Sequence, residues 1–444
     1  MDFERFQSIC PECGRPVPAS YMRYDGGAYL IKICPVHGES CVLSSEDSKE
    51  FDRWIRSSSV TVPPSVRITE GAKSGKGTEC PLHCGPCENH LMTACCILLN
   101  VTDRCNQHCN YCFAGAENNE NTPPDPSLAE IERWLDRLIE LGEERKFNIQ
   151  LSGGEPTVRE DLPEIISMCK GKGFEYVQLN TNGRRLAADP AYAKTLKTAG
   201  LTTVFLQFDG VSDEVYLALR GESLFLLKKI AIQNCGEAGL PVTLVPTVLK
   251  NTNLTQTGAI IDFMLDNTKV VKGVHFQPAS FFGRRPDDQQ KERVTMFAVM
   301  DEIEKQTGGR IKKADLAPIS TGHPLCCFCA AYMKERNGDL RPLSSGGSCC
   351  ESRDPLEIIR RDRDFVLNKW EVACCDSEPE TENNVLSLDD ALAMFKNNIF
   401  TISGMAFMDE TNLDTERLKR CRVQVFSRDE RLVPFCAYYS NRRE

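Results

Sequence analysis

Residues 96–112 have the sequence CILLNVTDRCNQHCNYC, in which an apolar run leads into a loop with three cysteines. The run over 96–101 predicts a short buried β-strand. Cys105, Cys109 and Cys112 follow with three and two residues between them, so their thiolates can bind one metal cluster. A 4Fe–4S cluster normally takes four cysteines, and three leave one iron open for catalysis. The alternative is a structural zinc site with a remote fourth ligand.

The strand over 96–101 is the first of six that alternate with helices. We predict the others at residues 147–151, 176–180, 204–208, 242–247 and 273–277. Helices are predicted between them near residues 128–139, 161–172, 190–199, 222–238 and 254–266. Such alternation, without hairpin turns, predicts a parallel sheet with right-handed crossovers. The expected fold is therefore α/β, a partial (β/α)6 barrel with its chemistry at the carboxyl ends of the strands.

The 444 residues are expected to form three regions. Residues 1–94 are rich in cysteine and irregular, and residues 95–285 hold the alternating units. Residues 286–444 contain a second cysteine-rich region, with a helix predicted near 290–306 and a hairpin turn at 337–338. The barrel is thus flanked on both sides by cysteine-rich metal-binding regions.

The chain contains 23 cysteines and lacks a secretion signal, which favours reduced thiols that bind metals or take part in catalysis. No apolar run is long enough for a transmembrane segment, so a cytoplasmic location is expected. With 53 Lys and Arg against 63 Asp and Glu, the net charge of −10 argues against a nucleic-acid partner. Four scattered cysteines are interpreted as ordinary small buried residues: Cys169, Cys235, Cys421 and Cys436.

The N-terminal region contains two pairs of candidate metal ligands about twenty residues apart. The four residues are Cys10, Cys13, Cys34 and His37. This spacing predicts a tetrahedral site for zinc or for a rubredoxin-like mononuclear iron. Cys41 competes with His37 for the fourth position, and ligation by four thiolates would favour iron. The site is interpreted as a structural staple, with an electron relay as the alternative.

A second loop repeats the spacing of the first three-cysteine loop. Its candidate ligands are Cys80, Cys84, Cys87 and Cys95. Four thiolates predict a fully ligated auxiliary 4Fe–4S cluster, which would have no open iron. His83 and His90 are alternative ligands, and a zinc site is the alternative centre.

The C-terminal region holds seven cysteines within about fifty residues, including three adjacent pairs. Neighbouring residues of an extended chain point in opposite directions, so one member of each pair is expected to bind a given cluster. The predicted ligands of this further auxiliary cluster are Cys326, Cys329, Cys350 and Cys375. The alternative is a redox-active or substrate-binding thiol pair.

Residues 152–156, Ser-Gly-Gly-Glu-Pro, end the second predicted strand. Together with the first three-cysteine loop, in which Tyr111 is the aromatic residue before the last cysteine, they resemble the signature of radical S-adenosylmethionine (SAM) enzymes. The resemblance extends over residues 96–285. It implies that the loop cysteines are catalytic and hold a 4Fe–4S cluster that binds SAM through the open iron.

The resemblance also implies which residues contact SAM, Tyr111 among them. Gly153 and Gly154 permit close backbone approach, and Glu155 supplies a carboxylate for the methionine ammonium group. Four polar residues stand at the ends of the third and fourth strands: Asn180, Asn182, Gln207 and Asp209. By analogy they contact ribose, carboxylate or substrate, and the alternative is capping of the loops in which they lie.

Four further segments are similar to the thiol-rich radical SAM (seleno)protein group TrsS: residues 95–104, 205–210, 273–278 and 325–329. The N-terminal ligand pairs and the second three-cysteine loop are similar to the archaeal tetraether lipid synthase group. These resemblances imply one or two auxiliary clusters besides the SAM-binding one. The C-terminal region departs from the lipid synthases, which leaves the substrate open.

The implied reaction is reductive cleavage of SAM to a 5′-deoxyadenosyl radical, which abstracts hydrogen from a substrate carbon. A flavodoxin- or ferredoxin-type reductant would supply the electron. The outcome is C–C coupling or methylation of a lipid-like substrate, or modification of a thiol, selenium or peptide. The alternative function is a non-catalytic iron–sulfur electron-transfer or metal-binding protein.

Overall fold

The structure is a computed structural model that describes residues 5–57, 61–65, 67–69, 80, 85–116, 119–142, 147–286, 292–319, 321–343 and 397–440. In these ranges no helix has the length and apolar character needed to cross a membrane. Three predicted metal ligands, Cys84, Cys350 and Cys375, lie outside the described residues.

The N-terminal region is an antiparallel four-stranded sheet followed by a helix. Its elements are β1 (Phe6–Ile9), β2 (Pro16–Tyr24), β3 (Gly27–Cys34), β4 (Gly38–Ser45) and α1 (Ser48–Ile55). Asp25 and Gly26, both with positive φ, form the two-residue turn that suits the twist of a hairpin. The expectation of an irregular N-terminal region is therefore wrong over residues 6–45. Alternate residues of β2 and β3 are buried, which is the pattern of a half-buried strand.

The core of the molecule is a parallel sheet formed by the six predicted strands. They are β5 (Cys96–Thr102), β6 (Asn148–Gly153), β7 (Val177–Thr181), β8 (Thr203–Gln207), β9 (Val242–Val245) with its short continuation β10 (Thr247–Val248), and β11 (Val271–Pro278). Neighbouring strands are parallel from β5 to β9 and on to β11. Pro246 interrupts the fifth predicted strand because proline cannot donate to the ladder. The predicted α/β fold is confirmed.

C-terminal strands extend this sheet at both edges. They are β12 (Cys327–Lys334), β13 (Leu340–Pro342), β14 (Ile399–Met405), β15 (Val423–Phe426) and β16 (Leu432–Pro434). β14 runs parallel to β11, and β15 runs parallel to β5. β12 and β13 form the hairpin expected at 337–338, with Gly338 at φ 90°. The boundary predicted at residue 285 therefore does not coincide with an edge of the sheet.

Helices connect the parallel strands and cover the sheet. They are α2 (Leu128–Gly142), α3 (Leu162–Gly171), α4 (Arg184–Ala188), α5 (Pro190–Thr198), α6 (Asp213–Arg220), α7 (Phe225–Glu237), α8 (Thr257–Asp266), α9 (Met296–Gln306), α10 (Thr415–Lys419) and α11 (Phe435–Ser440). Ser127 and Glu130 form a reciprocal capping box at the start of α2. Ile131, Leu135 and Leu138 follow at helical spacing and are fully buried. This pattern holds the strand ends, where the predicted site residues lie, on a rigid core.

Lysine 272 on β11 provides a test of this core. Its side chain is 1% exposed and Nζ donates to the carbonyl of Thr268 at 2.9 Å. Burial lowers the pKa of Lys272 to about 8 from its ordinary 10.5. The folded state therefore binds this proton less tightly than the unfolded chain, so the contribution of Lys272 to stability rises between about pH 8 and pH 10.5.

We expect Lys272→Met to raise the free energy of unfolding at pH 7 by about 1–3 kcal/mol and to reduce its rise with pH. Urea denaturation under reducing conditions at pH 7 and pH 10 measures both effects. Lys269→Met is the matched control because Lys269 is exposed. An unchanged pH dependence in Lys272→Met would contradict the assignment.

Candidate active site

The first three-cysteine loop leaves the carboxyl end of β5. Cys109 is buried, and Cys105 and Cys112 are half-buried. Burial raises the pKa of the Cys105 thiol to about 12, and the negative charges of Glu155, Cys109 and Cys112 raise it further; burial also raises the pKa of Cys109. A metal bound at this loop would hold Cys105 and Cys109 as thiolates despite their burial.

The spacing of the three thiols suits a cluster better than a single ion. Among the described residues, one group of three or more His, Cys, Asp or Glu side chains has all its ligand atoms within 4.8 Å of one another. That group is the N-terminal one, formed by Cys10, Cys13, Cys34 and His37, and it does not include the loop thiols. The loop thiols are thus spread more widely. In an iron–sulfur cube each thiolate binds a different iron, which requires such a spread. The donor set therefore fits a 4Fe–4S cluster with three protein ligands.

Gly283 and Arg284, which the sequence analysis missed, hold the loop from one side. The backbones of Cys112 and Arg284 exchange two hydrogen bonds, of 2.9 and 3.0 Å. Arg284 Nε also donates to the carbonyl of Cys109 at 2.7 Å. A Cβ on Gly283 would lie 2.5 Å from the carbonyl oxygen of Cys112, so only glycine allows this approach. No local sequence signal links Arg284 to Cys109, which lies 175 positions away.

Arg220, at the end of α6, holds the same loop from the other side. Its Nη1 donates to the carbonyl of Tyr111 at 2.8 Å, and the N–H of Tyr111 donates to the carbonyl of Leu219. The Tyr111 ring packs on a small apolar cluster at the mouth of the barrel. This cluster consists of Val215, Leu219, Leu249, Ala279 and Phe281. The loop backbone is therefore fixed while the Tyr111 ring stays half-buried beside an apolar surface.

The two glycines of residues 152–156 bring the end of β6 against the cysteine loop. A Cβ on Gly153 would lie 2.0 Å from the carbonyl oxygen of Thr102, and one on Gly154 would lie 2.2 Å from that of Arg104. The N–H groups of Gly154 and Glu155 donate to these same two carbonyls at 2.9 Å. Glycine is thus required at 153 and 154 because the end of β6 approaches the end of β5 closely.

Glu155 is 1% exposed and its carboxylate is held by four donors. Oε1 accepts from the N–H and the hydroxyl of Thr157 and from the hydroxyl of Thr181, at 2.6 to 3.0 Å. Oε2 accepts from the N–H of Asn182 at 2.6 Å. A carboxylate oxygen has room for a second donor, so Oε2 keeps an acceptor site for an ammonium group.

The asparagines at the end of β7 connect the strand to the cysteine loop. Asn182 Nδ2 donates to Asn106 Oδ1 at 2.8 Å, within the loop sequence. Asn180 Oδ1 accepts from Gln178 Nε2 at 2.8 Å. Both residues therefore lie at the predicted edge, and Asn182 also caps the following turn by accepting from the N–H of Arg184.

The polar residues at the end of β8 are engaged by buried cations. Gln207 Oε1 accepts from Lys228 Nζ at 3.0 Å. Asp209 is fully buried and accepts from Arg220 with both carboxylate oxygens, at 2.7 and 2.8 Å. Burial lowers the pKa of Lys228 to about 8. Lys228 and Arg220 are further site residues that the sequence analysis missed.

The N-terminal ligand group is assembled by the turns before β2 and after β3. The sulfur atoms of Cys10 and Cys34 each lie 3.6 Å from His37 Nδ1. The N–H groups of His37 and Val36 point at Cys34 and lower the pKa of its thiol to about 6. Cys41 is exposed on β4, so within the described residues His37 rather than Cys41 completes the group. Three thiols and one imidazole suit zinc.

We expect His37→Ala to lower bound zinc at this site, because it leaves three ligands instead of four. Zinc per chain, counted after mild chelation, measures the effect. Cys41→Ser is the control and is expected to keep zinc at the level of the unchanged protein. Equal zinc loss in the two variants would show that the four-ligand assignment is wrong.

The other cysteine clusters are described in part. Cys80, Cys87 and Cys95 are half-buried, and the N–H of Cys95 donates to the carbonyl of Arg422. Because Cys84 lies outside the described residues, their joint ligation stays a prediction.

Of the four cysteines interpreted as buried, Cys169, Cys235 and Cys436 are buried and Cys421 is half-buried.

The described part of the C-terminal cluster surrounds the start of β12. Cys326 and Cys329 are half-buried, and Cys327 between them is buried. The Cys326 sulfur accepts from Arg417 Nε at 3.4 Å. The other two predicted ligands, Cys350 and Cys375, lie outside the described residues, as do Cys349 and Cys374. A cluster in the C-terminal region therefore stays a prediction.

Comparison with protein families gives two matches to this chain. Residues 99–264 match the Radical SAM superfamily, which covers β5 to α8 and the three-cysteine loop. Residues 3–46 match the HMPTM N-terminal zinc ribbon domain, which covers β1 to β4 and the group completed by His37.

Comparison with individual proteins gives relatives of the whole chain and of the barrel alone. A 7,8-dihydro-6-hydroxymethylpterin dimethyltransferase of Methanocaldococcus jannaschii is 33% identical over 488 aligned positions, covering 98% of this chain and 93% of the relative. A probable GTP 3′,8-cyclase of Methanococcus maripaludis is 28% identical and covers 47% of this chain and 65% of the relative. Among solved structures, Streptococcus suis SuiB bound to S-adenosylmethionine aligns with a TM-score of 0.39 and 13% identity, over 68% of each chain. The chain therefore belongs to the radical SAM superfamily and is an enzyme that uses S-adenosylmethionine and a 4Fe–4S cluster.

Proposed function

We propose that this enzyme methylates carbon atoms of a reduced pterin. The observation that carries the proposal is the match to the pterin dimethyltransferase of M. jannaschii, which runs over 98% of this chain and 93% of the relative. The match includes the N-terminal metal group as well as the barrel. Methylation was one of the reactions expected from the sequence, and a pterin replaces the lipid-like, thiol, selenium or peptide substrate.

Cys105, Cys109 and Cys112 are the proposed ligands of the SAM-binding cluster. Their support is the fixed loop, the burial of Cys109 with the partial burial of Cys105 and Cys112, and the wide spacing of the three thiols. When bound, such a cluster supplies the electron that cleaves SAM to the 5′-deoxyadenosyl radical. The chain orients the loop by hydrogen bonds from Arg284 and Arg220 to its carbonyls.

The proposed role of Glu155 is to bind the methionine ammonium group of SAM. Its support is the acceptor site that remains on Oε2 after the N–H of Asn182 has donated to it. Gly153 and Gly154 act by letting β6 approach the loop, which places Glu155 beside the cysteines. The ammonium and the loop cluster are thereby brought to the same strand edge.

The proposed role of Tyr111 is to contact the adenine ring of SAM. The apolar cluster on which it packs offers a dry surface for a flat aromatic group. Asn180, Asn182 and Gln207 remain candidates for contacts to ribose, carboxylate or substrate. We assign Asp209 a structural role, because both its oxygens accept from Arg220 in a fully buried position.

The electron donor is proposed to be a flavodoxin- or ferredoxin-type protein, since SAM cleavage consumes a low-potential electron. The N-terminal zinc group is proposed to be a structural staple. Its sheet contacts the C-terminal segment through Tyr21, whose hydroxyl donates to Asp414 at 2.8 Å.

The test is product analysis with anaerobically reconstituted, reduced enzyme. SAM and 7,8-dihydro-6-hydroxymethylpterin are supplied, and the oxidised 6-hydroxymethylpterin serves as the matched control. We expect 5′-deoxyadenosine together with a pterin that has gained one or two methyl groups, both detected by mass spectrometry. 5′-Deoxyadenosine formed at the same rate with the reduced pterin, with the oxidised pterin and without any pterin would overturn the substrate assignment and leave SAM cleavage standing.

A further inference from the structure

Arg220 carries a buried guanidinium group that contacts the first three-cysteine loop. Its side chain is about 5% exposed and makes hydrogen bonds through all three of its nitrogens. Nε and Nη2 donate to the two oxygens of Asp209, Nη1 donates to the carbonyl of Tyr111, and Nη2 donates to the hydroxyl of Thr247 at 3.0 Å. The planar fork thus ties the end of β8, the start of β10 and the loop together.

The partner of Arg220 is itself fixed. Asp209 also accepts from the N–H of Thr247 at 3.1 Å, and its carbonyl accepts from Asn253 Nδ2 at 2.8 Å. Asn253 is buried and also donates to the carbonyl of Thr247. The position of the guanidinium is therefore set by the barrel and not by the loop that it contacts.

The charge of Arg220 acts on the loop sulfurs. Nη1 of Arg220 lies 2.8 Å from the carbonyl oxygen of Tyr111, so the guanidinium charge lies against the backbone between Cys109 and Cys112. The charge of Arg220 acts on the sulfurs of both Cys109 and Cys112, and Lys228 adds a second buried cation that acts on Cys109. Because Arg220 and Lys228 are buried, their charges are weakly screened.

We propose that Arg220 is a positioning residue that raises the reduction potential of the cluster held by Cys105, Cys109 and Cys112. The proposal rests on the proposed ligation by these cysteines. Two effects act together. The hydrogen bond to the Tyr111 carbonyl fixes the loop between its last two cysteines, and the positive charge beside Cys109 stabilises the extra electron of the reduced cluster.

Lysine cannot replace this arrangement. A single ammonium group keeps the charge but lacks the planar fork that reaches the carboxylate and the carbonyl in fixed directions. Arg220→Lys therefore separates charge from geometry, and Arg220→Met removes both. Asp209→Asn has the opposite electrostatic effect, because it removes the negative charge that offsets Arg220.

The experiment is a potentiometric titration of the reconstituted enzyme, followed by electron paramagnetic resonance. The signal that is followed is the one whose shape changes when SAM is added. We expect the midpoint potential to become more negative in Arg220→Met, to become more positive in Asp209→Asn, and to lie between wild type and Arg220→Met in Arg220→Lys. Arg137→Met, on the exposed face of α2, is the control and is expected to keep the wild-type potential.

A merely structural role would move both Arg220→Met and Asp209→Asn in the same direction, and that result would overturn the proposal. An unchanged potential in Arg220→Met at the wild-type iron content would also overturn it. If Arg220→Met takes up too little iron, Asp209→Asn decides, since an absent or negative shift there contradicts the proposal. Cys109→Ala is titrated in parallel: persistence of the SAM-sensitive signal in it would refute the proposed ligation rather than the role of Arg220.

Discussion

Replacing Cys109 with alanine is expected to abolish SAM cleavage. Cys109 is the most deeply buried of the three loop cysteines, so a substitute ligand from solvent has little access to its place. Changing a partner of a metal ligand typically costs about 10–100-fold in metal affinity or activity, and loss of the ligand itself should exceed that. We expect 5′-deoxyadenosine formation to fall by more than about a hundredfold.

The measurement combines iron content, the SAM-sensitive paramagnetic signal and 5′-deoxyadenosine yield. Cys235→Ala is the matched control, because Cys235 is also a fully buried thiol but lies on α7 among apolar residues. The control is expected to keep all three readouts. Full SAM cleavage by Cys109→Ala would remove the loop from the active site.

Gly154→Ala is expected to have the second-largest effect. The added Cβ would lie 2.2 Å from the carbonyl oxygen of Arg104 and 2.7 Å from its carbon, and both atoms belong to the backbone. The end of β6 must therefore move away from the cysteine loop, taking Glu155 with it. A displacement of about 1 Å at a catalytic site can cost about a hundredfold in rate, so we expect a loss of that order.

This variant should lose activity while keeping its cluster, because the loop is also held by Arg284 and Arg220. SAM affinity, iron content and 5′-deoxyadenosine yield separate these effects. Gly171→Ala is the control, since a Cβ there meets no atom within 4 Å and Gly171 does not have a positive φ. Wild-type SAM affinity in Gly154→Ala would contradict the assigned role of this strand contact.

Much of the barrel was predictable because its elements have local signals. The apolar run over 96–101 predicts a strand, and the structure has β5 there. The capping box at Ser127 likewise marks the start of α2. Apart from the hairpin at 337–338, the C-terminal strands were not predicted. β14 and β15 pair with β11 and β5 across more than a hundred residues, and nothing in their own sequence indicates their partners.

Part of the candidate site was predictable from the sequence and part was not. Cys105, Glu155 and Asn182 stand directly after strands, so parallel alternation predicts that they meet at one edge. Arg220 and Arg284 follow no motif and are brought to the loop by α6 and by the segment after β11. Both arginines act through hydrogen bonds to backbone carbonyls. Every residue has a backbone carbonyl, so the sequence does not indicate which ones are contacted.

The sequence by itself determined the parallel α/β core, the loop of three cysteines and the spacing of the N-terminal metal ligands. Each of these follows from short-range periodicity or from a fixed number of residues between ligands. Only the tertiary structure decided that His37 rather than Cys41 joins Cys10 and Cys34, and that Asp209 pairs with Arg220. Both outcomes depend on burial and distance between distant segments. An exposed thiol is not brought to the metal group, and a buried carboxylate is paired with a buried cation because leaving either charge alone would be costly.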